Sequence, residues 1–427
     1  MSSDAINSDV FEDAFDRRQV GDARADDAQG RPASREGKII VATINRPTGD
    51  TGVHTHTAAL LDGLAAASQP CGMQGPFSRA PWWLAVFGAR RIFGPFNRSW
   101  GTRWYRHWHG AALASNLKHA LRRQGAAAIL AQCPVSASAA LKVRAKLGLN
   151  CPIAMVCHFN FSEAREYREK GELHDRASYR AMLDFERAVM GAVDHVVYVS
   201  RWARRVVEEE RRIVTRGSSV IWNGIAAASP AAVARETIGL KPSDLAIINV
   251  GSLEPRKNQF GLLDLFLRVS RYHANARLIL VGEGPDRQRL RQRIAELRLD
   301  DRVMLLGLRR DVPALLATSD LYVHYAAMEN CPLALIEAAR AALPIAGAPG
   351  GGAAELLSAL GGVTLDPADV ATSCNALLPL LNDLSVRRRF GDAGRAAFDR
   401  SFTREAMIGA YIKTLDGIQR RPAEALP

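Results

Sequence analysis

Two glutamates, Glu329 and Glu337, stand in a stretch whose punctuation places both where a ligand would meet them (residues 321–347, LYVHYAAMENCPLALIEAARAALPIAG). Leu321 to Tyr325 reads as a buried strand bounded by Asp320. Pro332 suits the first turn of a helix, which Leu333, Ile336, Ala339 and Arg340 continue and Pro344 ends. Glu329 is therefore expected at the carboxyl end of a strand and Glu337 on the next helix. That edge of an open α/β sheet is where ligands bind. A second segment, Val250-Gly-Ser-Leu-Glu-Pro-Arg-Lys-Asn258, follows a strand and precedes the helix Gln259–Val269. A loop with glycine, Arg256 and Lys257 at a helix N-terminus can receive phosphates. In Val281-Gly-Glu-Gly-Pro285, Gly282 permits close backbone approach, either to a nucleotide base or between strand and helix.

The elements that must position these residues alternate strand and helix. In the first half, strands are expected at Ile39–Ile44, Ala127–Cys133, Ile153–His158, His195–Ser200 and Ser218–Trp222. Helices fall at Thr51–Ala66, Ser136–Leu147 and around 176–192. After a break at Asn223-Gly224-Ile225 the alternation restarts at Ala246–Gly251, with strands near 277–282, 302–306, 321–325, 344–347 and 362–365. Such alternation argues parallel sheets covered on both faces. The expected organisation is a disordered acidic arm over 1–36, a Rossmann-like domain over 37–224 and a second over 225–402. A last amphipathic helix occupies 403–418. The arm carries nine acids against five arginines and almost no apolar periodicity.

With 427 residues, 48% hydrophobic and 23% charged, the chain is long enough for two domains. It has no apolar run of about 18 residues, the length a membrane-spanning helix needs. Its acidic beginning is unlike a signal peptide. Six cysteines without paired or metal-type spacing fit free thiols in a reducing cytoplasm. Asp300-Asp301 and Asp26-Asp27 lack Asp-x-Asp spacing, so no divalent metal is expected. Charge is uneven: between Asp62 and Glu163 there is no carboxylate but twelve lysines and arginines, equal to the whole formal excess of +12. That asymmetry points to an anionic partner.

The 321–347 stretch resembles the E-x7-E signature of glycosyltransferase family 4, whose members are retaining enzymes of the GT-B fold. The resemblance covers roughly residues 38–420 and implies two Rossmann-like doubly wound domains facing across a cleft, with the last helix crossing back to the first. It implies that Glu329 holds hydroxyls of the transferred sugar and that Glu337 accepts hydrogen bonds from the ribose. Lys257 matches the lysine of the family's G-R-x-x-x-x-K-G motif, which neutralises the leaving diphosphate; Ser252 stands where the arginine would be, with Arg256 a shifted substitute. Gly282 falls in a turn similar to the family's G-x-G-P, and Gly350–Gly352 in its glycine-rich turn. The amides that open the helix at Leu333, with Cys331 just before, join the donor-binding positions. Thr48–His56 is similar to the G-G-x-x-x-H loop, with Gly52 approaching diphosphate or acceptor; His56 itself reads as a helix residue packed on the sheet. His158, ending a strand at the ligand edge, resembles the histidine that contacts the donor sugar.

Five of seven tryptophans lie in 77–108, interleaved with arginines. Trp82–Arg91 reads as a surface segment touching an anionic membrane. Trp100, Trp104 and Trp108 share one helical face, and Trp104 and Trp108 are expected to pack on the sheet. Nucleic acid is not an expected partner. The combined expectation is a cytoplasmic, membrane-peripheral transferase on the inner membrane face. It would move a hexose from a UDP- or GDP-sugar, with no further cofactor, to a lipid-linked or polysaccharide acceptor. A nucleotide-sugar epimerase, or an inactive nucleotide-sugar binder, would use the same scaffold.

Overall fold

The computed structural model describes residues 37–46, 49, 51–79, 98–228 and 231–419. The arm 1–36, Thr48 and Asp50 of the first loop, and Trp82, Trp83, Arg90 and Arg91 lie outside the described residues. The chain divides into two compact units. One is built mainly from residues before Ile221, together with Tyr411 onward; the other is Ile221–Ala410 with Val199–Ala203.

Among the described residues the first unit holds six parallel strands: β1 (Ile39–Ala42), β2 (Cys71–Gln74), β3 (Ala128–Ala131), β4 (Ile153–Cys157), β5 (His195–Tyr198) and β6 (Ser218–Val220). Their spatial order is β2-β1-β3-β4-β5-β6. Strands β1, β3, β4 and β5 are buried at every position, as a sheet covered on both faces requires. Strand β2 was not expected. Its sequence, CGMQ, carries no β-branched residue and sits half-buried at the sheet edge. Chain direction reverses its progress through this sheet between β1 and β3, so ligands should meet the loops that follow those two strands.

The helix Arg98–Gln124 is longer than the tryptophan spacing suggested, and it turns a different face inward. Its buried residues include Ser99, Thr102, Arg106, His109, Leu113, Asn116, Leu117 and Leu121. Trp104 and Trp108, expected to pack on the sheet, are half-buried and lie off the helix's fully buried face. They stack in a ladder with Trp100, ring centres 4.9 and 5.6 Å apart. The inward face belongs to smaller side chains and to Arg106, whose guanidinium pairs with Glu163. No helix among the described residues is long and apolar enough to cross a membrane.

The second unit repeats the plan with β7 (Leu245–Val250), β8 (Ala276–Val281), β9 (Val303–Gly307), β10 (Leu321–His324), β11 (Ile345–Gly347) and β12 (Val363–Thr364). The order is β12-β11-β10-β7-β8-β9, all parallel, with the switch point between β7 and β10. Alternate residues feed two cores. Leu245, Ile247, Leu278, Leu280, Leu321 and Val323 pack on one face. Ala246, Ile248, Ile279, Val281 and Tyr322 pack on the other. Buried Asn249 donates its Nδ2 to the Val323 carbonyl at 2.8 Å, tying β7 to β10 beside the switch point.

The last helix, Arg404–Gln419, changes allegiance at Tyr411, from which point it clusters with the first unit. Its Gln419 Nε2 donates to the Ala127 carbonyl at 2.9 Å.

Candidate active site

The two loops at the switch point of the second sheet carry the residues singled out by their chemistry. After β7 the chain makes a 3-10 turn, Pro255–Lys257, then enters the left-handed region at Asn258 (φ 54°). Asparagine tolerates that conformation, and Asn258 Oδ1 also accepts from the Gly261 amide at 3.3 Å to start the helix Gln259–Val269. The turn sends Lys257 back along Gly251, where a Cβ would lie 3.4 Å from its Cε. Arg256 accepts the Ala327 amide through its carbonyl at 2.9 Å, which pins this loop to the one after β10.

Both cations meet Glu329. The Lys257 ammonium donates to Glu329 Oε1, and Arg256 Nη1 lies 3.0 Å from the same oxygen. Oε2 has no hydrogen-bond donor among the described residues; His324 Nε2 stands 3.4 Å away. Glu329 is 6% exposed. Burial works against its charge, but Lys257, then His324 and Arg256, overcome it and hold the carboxyl below the ordinary glutamate value. Burial pushes His324 down to about 4, so its ring is neutral at pH 7 and the two cations supply the positive field. His324 escaped the sequence reading; its only signal was a polar residue closing the apolar run of β10.

Ser252, exposed, donates to Glu254 Oε1 at 2.9 Å, and Arg256 Nη2 reaches that oxygen at 2.8 Å. Thus Ser252 and Arg256 share one acidic partner, and Arg256 spans from Glu254 to Glu329. Gly282 (φ 144°) has its need for glycine set by protein rather than ligand: a Cβ there would sit 2.0 Å from the Gly251 carbonyl oxygen. Gly284 is in the same position against Leu253, at 2.2 Å. The two glycines seat the cation loop against the end of β8.

The turn Gly350–Gly352 has a similar task for Glu329. Added Cβ atoms at Gly350 and Gly352 would lie 2.1 Å from the Ala327 oxygen and 1.9 Å from the Asn330 oxygen. The Glu329 amide donates to the Gly350 carbonyl at 3.2 Å, and the Ala353 amide returns to the Glu329 carbonyl at 3.2 Å. Glu329 is therefore fixed by backbone on two sides. Beyond it, the half-buried Cys331 has its carbonyl bonded to Asn223 Nδ2 at 3.4 Å, and burial pushes its thiol up to about 12. Pro332 caps the helix Leu333–Arg340 with no side-chain bond. One turn later Glu337 is raised to about 7 by burial, against the pull of Arg340.

His158 and Gly52 both belong to the first unit, where His56, on the helix that Gly52 opens, packs against His158. His158 follows β4, half-buried, with Nε2 3.0 Å from Oε1 of Gln132, the residue after β3. His56 packs edge-on against it, centres 4.8 Å apart, and lies 3.4 Å from Tyr411 Oη. Burial, then the neighbouring His56, keeps His158 well below the ordinary histidine value. His56 is buried in the helix Gly52–Ala66, as expected of a packed residue, and it is also the wall against which His158 rests. Gly52, exposed, opens that helix behind Thr51, which makes no side-chain cap bond to it. Gln132 was missed because a glutamine after an apolar strand carries no motif.

Comparison with known proteins supports the same plan. Residues 51–228 match the model described as Glycosyltransferase Family 4, and 232–397 the one described as Glycosyl transferases group 1. The chain is 29% identical over 163 residues to the Vi polysaccharide biosynthesis protein VipC/TviE of Salmonella typhi, covering 37% of this chain and 28% of that protein. It is 29% identical over 154 residues to the Escherichia coli UDP-Gal:alpha-D-GlcNAc-diphosphoundecaprenol alpha-1,3-galactosyltransferase, covering 34% and 39%. These matches span less than half the length of either relative. The crystal structure of Anabaena HepE with UDP-glucose superposes with a TM-score of 0.66 at 17% identity, over 89% of this chain and all of that one, a likeness of fold. With two doubly wound parallel sheets of the GT-B type and a family match across both, this chain belongs to the group 1, family 4 glycosyltransferases.

Proposed function

We propose that the protein is a retaining hexosyltransferase, drawing on a UDP- or GDP-sugar and delivering to a lipid-linked or polysaccharide acceptor of cell-envelope type. One observation carries the reading. Glu329 is buried with one oxygen gripped by two cations and the other left without a donor among the described residues. A buried acceptor without a partner needs an explanation, and a sugar hydroxyl supplies one. The cations then face the diphosphate beside that sugar.

In the proposed reaction the bond from the anomeric carbon to the leaving phosphate oxygen breaks. The acceptor oxygen forms its bond on the same face, and its proton passes to that phosphate oxygen. Lys257, Arg256 and the amides at Leu333 stabilise the charge growing on the diphosphate, which is positioning and electrostatic work. Glu337 holds the ribose, Cys331 and Gly282 shape the donor site, and His158 and Gly52 serve sugar and acceptor. The relatives support this reading: the E. coli protein is named for transfer to a diphosphoundecaprenol-linked sugar, and HepE was solved with UDP-glucose. Ser252 in place of an arginine would favour an inactive binder, and Arg256 beside Glu329 is the argument against it.

A thermal-shift panel of nucleotide sugars tests the donor. A ligand at a hundred times its dissociation constant should add about 2.7 kcal/mol of stability. Anomeric analysis of the product then tests retention. A stabilising sugar nucleotide with no transfer to any acceptor would return the binder reading, and an epimerised donor formed without acceptor would point to the epimerase. We place the protein on the inner face of the membrane as a peripheral enzyme, through 77–108; liposome flotation checks this.

A further inference from the structure

At the edge of the first sheet lies a cavity of about 250 Å³ lined by Gln74, Ser78, Arg79, Asn116, His119 and Arg123, among others. Its position follows from local sequence. Asn116, His119 and Arg123 recur at three- and four-residue spacing on the helix Arg98–Gln124 and so share a face. Buried Asn116 turns its Nδ2 to the carbonyls of Gly75 and Pro76 at 2.7 and 3.2 Å, drawing the loop after β2 onto that face. Ser78 then folds back, its Oγ accepting from the Gly75 amide at 2.9 Å, and Arg79 follows. The result is a polar cleft with two arginines, a histidine, a hydroxyl and amides.

Its charge is one-sided. Neither Arg79 nor Arg123 is in an ion pair among the described residues. The sequence offers no carboxylate between Asp62 and Glu163. Loss of solvent, then Arg79 and Arg123, push His119 below the ordinary histidine value, so both arginines stand near its ring. Gathering cations without a counter-ion is unfavourable unless an anion fills the gap. The cavity is smaller than the roughly 300–1,000 Å³ of a small-molecule site, a size suited to a headgroup rather than a nucleotide sugar.

Gln74, the last residue of β2, lines the cleft, and His158 follows β4 in the same sheet. From β2 to β4 is three strand spacings of about 4.8 Å, roughly 14 Å. We infer that the cavity is a subsite for a phosphoryl group, the phosphate or diphosphate of an acceptor whose reacting sugar lies near His158. The inference rests on the transferase reading above. It assigns the acceptor an anionic anchor held by Arg79 and Arg123, with Ser78 and His119 as hydrogen-bond donors. An anionic bilayer headgroup shares this chemistry.

The test compares wild type, Arg79→Gln/Arg123→Gln and a control, Lys118→Gln/Arg122→Gln, which removes equal charge from residues that do not line the cavity. Binding of inorganic diphosphate, of water-soluble farnesyl diphosphate and of vesicles of phosphatidylglycerol in phosphatidylcholine is measured for each. The cavity variant should lose affinity for both diphosphates by about ten-fold or more, the worth of one charged hydrogen bond, while the control keeps it. A loss confined to the vesicles would assign the subsite to a bilayer headgroup. Equal binding of all three probes by all three proteins overturns the proposal. Nucleotide-sugar stabilisation is read in parallel. If it persists while the diphosphates ignore the cavity, the subsite fails alone; if it is absent from wild type, the transferase reading fails.

Discussion

Arg256 sets its Nη1 3.0 Å from Oε1 of Glu329, the oxygen that Lys257 also engages. Two cations on one carboxylate oxygen are more than neutralisation requires, and a diphosphate arriving beside them would share both. Lys257→Ala should therefore lower turnover about 10²–10³-fold with the fold intact, the cost of removing one preorganised donor to a developing charge. Arg256→Ala should also lower it, by less, because Arg256 is more exposed and splits its contacts between Glu254 and Glu329. Steady-state kinetics decides. A near-normal rate for Arg256→Ala would remove it from the site and leave Ser252 without a substitute.

Glu329→Gln separates binding from stability. Replacing the carboxylate leaves Lys257, 16% exposed, without its counter-charge, which should cost about 3 kcal/mol in urea unfolding, the lower end for a broken buried pair. Arg256 adds little because it meets solvent. Because the folded value of Glu329 is depressed, its contribution is present above the unfolded value near 4.5 and lost as pH falls through the folded one. The variant should lose that acid-side slope. Turnover should fall while affinity for the nucleotide without its sugar holds.

Glu337 titrates in the opposite sense. Its folded value of about 7 exceeds the unfolded 4.5, so between these the folded state keeps a proton that the unfolded chain releases. Stability then declines as pH rises from 4.5 to 7, and Glu337→Gln should flatten the decline. Nucleotide affinity should move the other way, since an ionised carboxylate can accept from both ribose hydroxyls. Isothermal titration at pH 6 and pH 8 should show tighter binding at pH 8 in wild type and no difference in Glu337→Gln. Equal affinity at both pH values in wild type would take the ribose contact away from Glu337.

The contrast between the two glutamates shows what sequence can carry. Their placement after β10 and on the next helix was legible because strand, proline and helix are local signals. All six strands of the second sheet were legible for the same reason: each is an apolar run closed by polar or small residues. Strand β2 was not, since an edge strand with one buried flank needs no such run. Nor could spacing show that Gly350–Gly352 supports the Glu329 loop, or that His324 and Gln132 face Glu329 and His158; those pairings are long-range and polar. The tryptophan period fixes a face of its helix but not the direction in which that face points.

His158 yields the last prediction. Burial and the edge of His56 hold it well below 6.5, and Gln132 Oε1 lies 3.0 Å from its Nε2. A ring so held favours its neutral form, so the service we propose for it to the sugar is a hydrogen bond and not a charge. His158→Gln, which keeps a neutral donor and acceptor, should retain more turnover than His158→Ala. Neither variant should remove a limb from the pH–rate profile between pH 6 and 8, and any limb near 7 should follow Glu337. The depressed value also means that His158 supports the fold above 6.5 and loses that support as pH falls; both variants should soften the acid-side drop in melting temperature. A wild-type limb that vanishes with His158→Gln and survives Glu337→Gln would show instead that the imidazole acts through its charge.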